Sequence, residues 1–180
     1  MSSFLERIKL KTSYEVEYPI GQEEFTALFK ENVDYGDTSL QPFEALKSSE
    51  NDYVGDISKY GFKLRRRRRM FDFNQNLSIV SGEFLGLTRN ITIRLTINAF
   101  RKILLIPLIL LLLLYAVGIV VGIIFSIRED SAIITYILPP VLIHGLLMFG
   151  IPYFLMRRSV RKMKKEIDRE FTYWISKNKT

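Results

Sequence analysis

Cysteine is absent from the 180 residues, and histidine and tryptophan occur once each. A chain without cysteine has no disulfide framework and no thiol nucleophile, and one histidine is too few for a zinc set. No glycine-rich phosphate loop is visible. Carboxylates such as Glu15, Glu17, Glu23 and Glu24 fall at scattered spacings that fix neither a metal nor an acid–base pair. The chain is therefore expected to be no enzyme and to carry no cofactor or metal. Disorder is excluded as well, because 13 Phe and 9 Tyr supply ample apolar surface to bury.

Charge is missing from two long stretches. Residues 103–127 and 132–156 are uncharged runs of 25 residues each. A helix of that length reaches roughly 37 Å, more than a hydrocarbon core of about 30 Å. Both runs are predicted to span a membrane. Arg128, Glu129, Asp130 and Ser131 alone separate them, which predicts a hairpin with both chain ends on one side. The charged segment Met1–Lys11 does not read as a signal peptide.

The side is chosen by basic residues. Arg101 and Lys102 precede the first span; Arg157, Arg158, Arg161, Lys162, Lys164 and Lys165 follow the second. The linking turn has one basic residue, Arg128. By the positive-inside rule both termini are expected in the cytoplasm, as in a multi-pass protein of a bacterial inner membrane. The formal charge of +7 has the same origin. Residues 1–100 hold 14 basic and 14 acidic groups, whereas residues 101–180 hold 12 and 5. The basic pI is thus mainly a topology signal, and nucleic acid is not an expected partner.

Polar groups inside a span are the usual place to look for function. Tyr115 and His144 are the midpoints of their runs and fall at equal depth in a hairpin. Tyr115 shares a helix face with Gly118 and Gly122, and Gly118-Ile-Val-Val-Gly122 is a small-xxx-small motif suited to close helix packing. These faces are expected to meet, with the Tyr115 hydroxyl bonded to His144. The alternative is a neutral His144 that satisfies a backbone carbonyl freed by Pro139 or Pro140, near Thr135 and Tyr136. Two helices enclose no solute path unless chains assemble, which leaves a homo-oligomer open.

Residues 1–100 read as a cytoplasmic α+β domain. Alternation over Arg7–Tyr18 suggests a strand or hairpin edge, ended by Pro19 and Gly21. Phe25, Leu28 and Phe29 form the stripe of a short helix over Gln22–Asn32. A turn of helix is expected over Phe43–Lys47. Four strands follow as a meander: Asp52–Ile57, Gly61–Phe71, Leu77–Leu85 and Ile91–Phe100, with a turn at Asn74–Asn76. In the last, Ile91, Ile93, Leu95, Ile97 and Ala99 face one way and Thr92, Arg94, Thr96 and Asn98 the other. The closing segment 157–180 carries Val160, Met163, Ile167, Phe171 and Trp174 along one helix face. Its basic residues crowd one end and its acidic ones the other, which favours docking on the sheet over lying flat on lipid.

Arg65, Arg66, Arg67, Arg68 and Arg69 form the run that most invites a function. As a strand it places Arg66 and Arg68 with Phe62, Leu64 and Met70, and Arg65, Arg67 and Arg69 on the other face. It is a candidate for binding anionic lipid headgroups or an acidic protein partner. The bland reading is an exposed edge strand whose charges discourage pairing and balance 12 acidic against 7 basic groups in residues 1–64.

Val54-Gly-Asp-Ile57, Phe62-Lys-Leu-Arg-Arg, Ile79-Val-Ser-Gly-Glu-Phe84 and Thr92-Ile-Arg-Leu-Thr-Ile97 lead directly into the first span. In this layout the chain resembles a group of small uncharacterised bacterial two-span membrane proteins with a cytoplasmic β-meander domain. The resemblance implies the architecture and brings no activity or site residues. A β-meander with a closing helix is also similar to a pleckstrin-homology-like module. The expectation is a three-part chain: domain 1–100, transmembrane hairpin 101–156 and amphipathic helix 157–180. Its expected role is a non-catalytic, membrane-anchored binding or scaffolding module. The alternative is an oligomeric lipid- or solute-handling component.

Overall fold

Residues 4–39, 49, 51–67, 77–85, 90–100, 105–129 and 133–178 are described by a computed structural model. Their contacts divide the chain into two units. The first joins Met1–Phe100 with Met156–Thr180, and the second is Arg101–Leu155.

Strict alternation builds the first unit. Strand β6 (Ile91–Asn98) buries Ile91, Ile93, Leu95 and Ile97 completely and turns Thr92, Arg94 and Thr96 outward. It pairs with β1 (Lys11–Tyr18) on one side and β5 (Ile79–Phe84) on the other, both antiparallel. Strand β4 (Gly61–Arg66) follows β5, then β3 (Tyr53–Ile57), again antiparallel. The short β2 (Val33–Tyr35) lies parallel to β3 at the far edge. The sheet is therefore mixed and six-stranded, in the order β1-β6-β5-β4-β3-β2. The four expected strands pair consecutively as β3 to β6, and β2 is a strand that the sequence reading did not assign. Three residues with one buried side chain, Val33, leave no alternation by which β2 could be read.

Helix α1 (Phe4–Arg7) is a single turn before β1. Helix α2 (Gln22–Asn32) buries Phe25, Leu28 and Phe29, and its Glu23, Glu24 and Lys30 complement the helix dipole. It stops because Val33 takes up extended backbone and starts β2. The expected helical turn over 43–47 and the turn at 74–76 lie outside the described residues, as do Arg68 and Arg69 at the end of the arginine run.

Among the described residues two helices are long and apolar enough to cross a membrane. Helix α3 spans Leu105–Glu129. Helix α4 spans Ile133–Lys177, 45 residues, so the segments 132–156 and 157–180 run as one helix. No glycine or proline stands between Leu155 and Lys177 to end it. Pro139, Pro140 and Pro152 lie inside α4.

The latter part of α4 covers the inner face of the sheet. Met156, Val160, Met163, Ile167, Phe171, Trp174 and Ile175 are buried. Phe171 packs at ring-centroid distances of 5.4 Å from Phe25, 5.7 Å from Phe62 and 5.1 Å from Trp174. Tyr18, Phe29 and Phe84 complete this aromatic cluster. Fully burying each such side chain contributes about 1.5–3 kcal/mol. The cluster, made from α2, three strands and α4, is the centre of the core.

Polar clasps fix the register of α4 on the sheet. Ser159 Oγ accepts the backbone N–H groups of Leu77 (2.8 Å) and Ser78 (3.1 Å) and meets Ser78 Oγ at 2.8 Å, with both serines buried. Tyr14 donates to Asp168 at 2.7 Å, and Lys164 Nζ lies 4.3 Å from the Tyr14 ring centroid. Asn178 bonds Glu24 at 2.9 Å.

Candidate functional site

The described arginines of the run are engaged inside the domain. Strand β4 has neighbours on both sides, so the reading of an exposed edge strand is corrected. Arg66 continues the inner row of Phe62 and Leu64 and bonds Glu166 of α4 at 2.9 Å. Arg65 points the other way. It is 3% exposed, and its guanidinium reaches the Asp37 carbonyl at 3.4 Å. Arg67 pairs with Asp34.

Asp34 is the hub of that corner. Ser49 Oγ donates to it at 2.5 Å and Asn51 Nδ2 at 2.8 Å, in addition to Arg67. Ser49, then Asn51 and Arg67, hold its carboxyl below the usual carboxylate range, against an opposing effect of burial. A carboxylate with three donors is satisfied and available for little else. What these arginines can do chemically is cross-brace: Arg66 ties β4 to α4, and Arg67, just past the end of β4, reaches Asp34 on β2.

The outer face of the sheet carries a polar ladder. Glu15 on β1 bonds Arg94 on β6 at 2.9 Å, Glu83 on β5 lies 3.9 Å from Arg94, and Ser13 meets Thr96 at 3.1 Å. These pairs are half-exposed, and exposed pairs contribute little to stability. An open cleft of about 1330 Å³ lies between α2 and the β3–β4 turn, bordered by Gln22, Thr26, Lys30, Lys59, Tyr60 and Leu85. Among the described residues no group of three His, Asp or Glu side chains converges on a metal position.

In the second unit the Tyr115 hydroxyl and His144 Nδ1 are hydrogen-bonded. Tyr115 also packs on Phe149, with ring centroids 6.4 Å apart, and lies against Gly145. An apolar groove of about 480 Å³ runs beside it, bordered by Ile119, Val141, Gly145, Phe149 and Tyr153. A neutral Tyr–His pair holds two polar hydrogens and uses one between its members, whichever tautomer is present. One donor is left over at the centre of an apolar stretch. Gly118 and Gly122 take no part: a Cβ at either would meet nothing within 4 Å.

Sequence reasoning missed Glu166 and Asp34 as partners of its candidates. Asp34 and Arg67 are 33 positions apart and Arg66 and Glu166 are 100 apart, and no local spacing signals such pairs. Comparison with known proteins yields no match to a family model, a curated protein or a solved structure.

Proposed function

We propose that this chain is a non-catalytic, membrane-anchored binding or scaffolding module. The observation that carries it is the continuity of α4, which leaves the apolar stretch and becomes the lid of the β-domain without an intervening linker. In this reading 103–127 and 132–156 form a hairpin in a bacterial inner membrane with both termini cytoplasmic, supported by eight flanking basic residues against one in the turn. The sheet with its covering helix is read as pleckstrin-homology-like, an analogy of architecture that carries no ligand with it.

The absence of cysteine makes the topology directly testable. Single cysteines at Ser2, Ser131 and Thr180 are labelled in intact cells with a membrane-impermeant maleimide. Labelling of position 131 alone is expected; labelling at 2 or 180 overturns the orientation.

A second reading, a lipid- or solute-handling oligomer, is favoured only by the groove beside Tyr115 and the spare donor of the Tyr115–His144 pair. Isolation from membranes separates the two. A binding module co-isolates a stoichiometric protein partner that survives His144→Phe and is lost with Phe171→Ala. A solute-handling component shows the opposite dependence.

A further inference from the structure

Six basic residues follow the second apolar run, and the structure sorts them into two groups. Lys162 lies 3.7 Å from Glu166, Lys164 stands over the Tyr14 ring and Arg157 is half-buried. Arg158, Arg161 and Lys165 are exposed and form no ion pair among the described residues. Their spacing of i, i+3, i+7 puts them on one line of the helix. The buried stripe of Met156, Val160, Met163 and Ile167 lies about half a turn away, at roughly 100° per residue. Docking α4 on the sheet therefore leaves these three cations pointing away from the domain that the other basic residues serve.

Their position along the axis is equally specific. The apolar run ends at Met156. At 1.5 Å per residue, Arg158 and Arg161 lie roughly 3 and 8 Å beyond it. The headgroup layer occupies roughly 5–8 Å on each side of the hydrocarbon core. Arginine stems reach back along such a layer while the guanidinium keeps its charge in it, and a guanidinium fork matches a phosphate in a bidentate manner. Lys165 stands at the outer rim.

We infer that Arg158, Arg161 and Lys165 form a contact site for the phosphate headgroups of anionic phospholipid. The inference rests on the membrane reading above. It moves the lipid contact away from Arg66 and Arg67, whose charges are consumed by Glu166 and Asp34. Continuity of the cation line with the apolar run selects a headgroup as occupant over an acidic protein segment.

The test uses the full chain reconstituted in vesicles of phosphatidylcholine with one-fifth phosphatidylglycerol. After mild detergent extraction the lipids retained by the protein are counted by mass spectrometry. The wild type is expected to enrich phosphatidylglycerol over its share of the vesicle. The triple variant Arg158→Gln, Arg161→Gln, Lys165→Gln is expected to lose that enrichment by about tenfold or more. A control removing equal charge at exposed sites, Lys30→Gln, Lys59→Gln, Lys63→Gln, is expected to keep it. Equal loss in both variants means net charge alone and overturns the site. Displacement by inorganic phosphate at millimolar concentration shows a free-anion site and overturns the lipid assignment, as does retention of the enrichment in the triple variant. Alkaline carbonate washing keeps the two levels apart. Release of the wild type overturns the membrane reading, whereas retention without enrichment overturns only the headgroup contact.

Discussion

Arg66 on β4 and Glu166 on α4 are bonded at 2.9 Å across 100 positions of sequence, at the rim of the core that both elements enclose. Glu166 is nearly buried, and Lys162 lies 3.7 Å away on the other side. The pair converts the most conspicuous charge run in the chain from a surface feature into a joint. Removing one member leaves the other poorly solvated, so Arg66→Gln is expected to cost about 1–3 kcal/mol. Glu166→Gln should cost a similar amount, and the double variant should cost less than the sum. Denaturant titration followed by the fluorescence of the single Trp174, itself buried in this core, measures all three.

Phe171 tests the docking of α4. Its ring is fully buried against Phe25, Phe62 and Trp174. Phe171→Ala removes the keystone of that cluster and is expected to cost about 3–5 kcal/mol. Tyr173, two residues on and largely exposed, is the control: Tyr173→Ala should stay within about 0.5 kcal/mol of wild type. Equal effects at the two positions would show that α4 is not packed as described.

Glycine substitutions separate two kinds of glycine. A Cβ on Gly82 would lie 2.3 Å from Cε1 of Phe62, the residue directly opposite it on β4. Gly82→Ala must displace that ring and is expected to destabilise the domain by about 1–3 kcal/mol. At Gly118 and Gly122 the added methyl meets nothing, so Ala there should leave the fold intact and favour the helix slightly. Thermal melts of the detergent-solubilised variants distinguish the cases.

Stability should fall in strong alkali. Burial, joined by the bond to Asp168, raises the Tyr14 phenol far above its ordinary value, and burial does the same for Tyr18 and Tyr53. A phenol whose folded pKa lies above its unfolded one contributes stability that is complete below the unfolded value, about 10. That stability is lost as pH rises from there toward the folded value. Melting temperatures should therefore drop above about pH 10. Tyr14→Phe should flatten the drop.

Acid acts through Asp34. Its depressed carboxyl pKa, set chiefly by Ser49 and then by Asn51 and Arg67, contributes stability present above the unfolded carboxylate value, about 3.9. That contribution is lost as pH falls through the folded value. Asp34→Asn should reduce stability at neutral pH and shrink the further loss on acidification, as read from denaturant midpoints at pH 7 and pH 3.

Local periodicity alone identifies the parts of this molecule whose free energy is local. The two 25-residue uncharged runs, the Phe25–Leu28–Phe29 stripe, the alternation of Ile91–Ala99 and the stripe Val160–Trp174 each specify an element and its buried face, because a helix or strand repeats every 3.6 or 2 residues whatever surrounds it. Only the tertiary structure decided the rest. It placed β2 beside β3, where three residues hold no period. It put β4 in the sheet interior and so turned Arg66 and Arg67 into braces to Glu166 and Asp34, although as sequence they are indistinguishable from a binding patch. It left space around Gly118 and Gly122 within the chain. Ion pairs and helix contacts of this kind depend on which elements meet in space. No pattern within a single element contains that meeting.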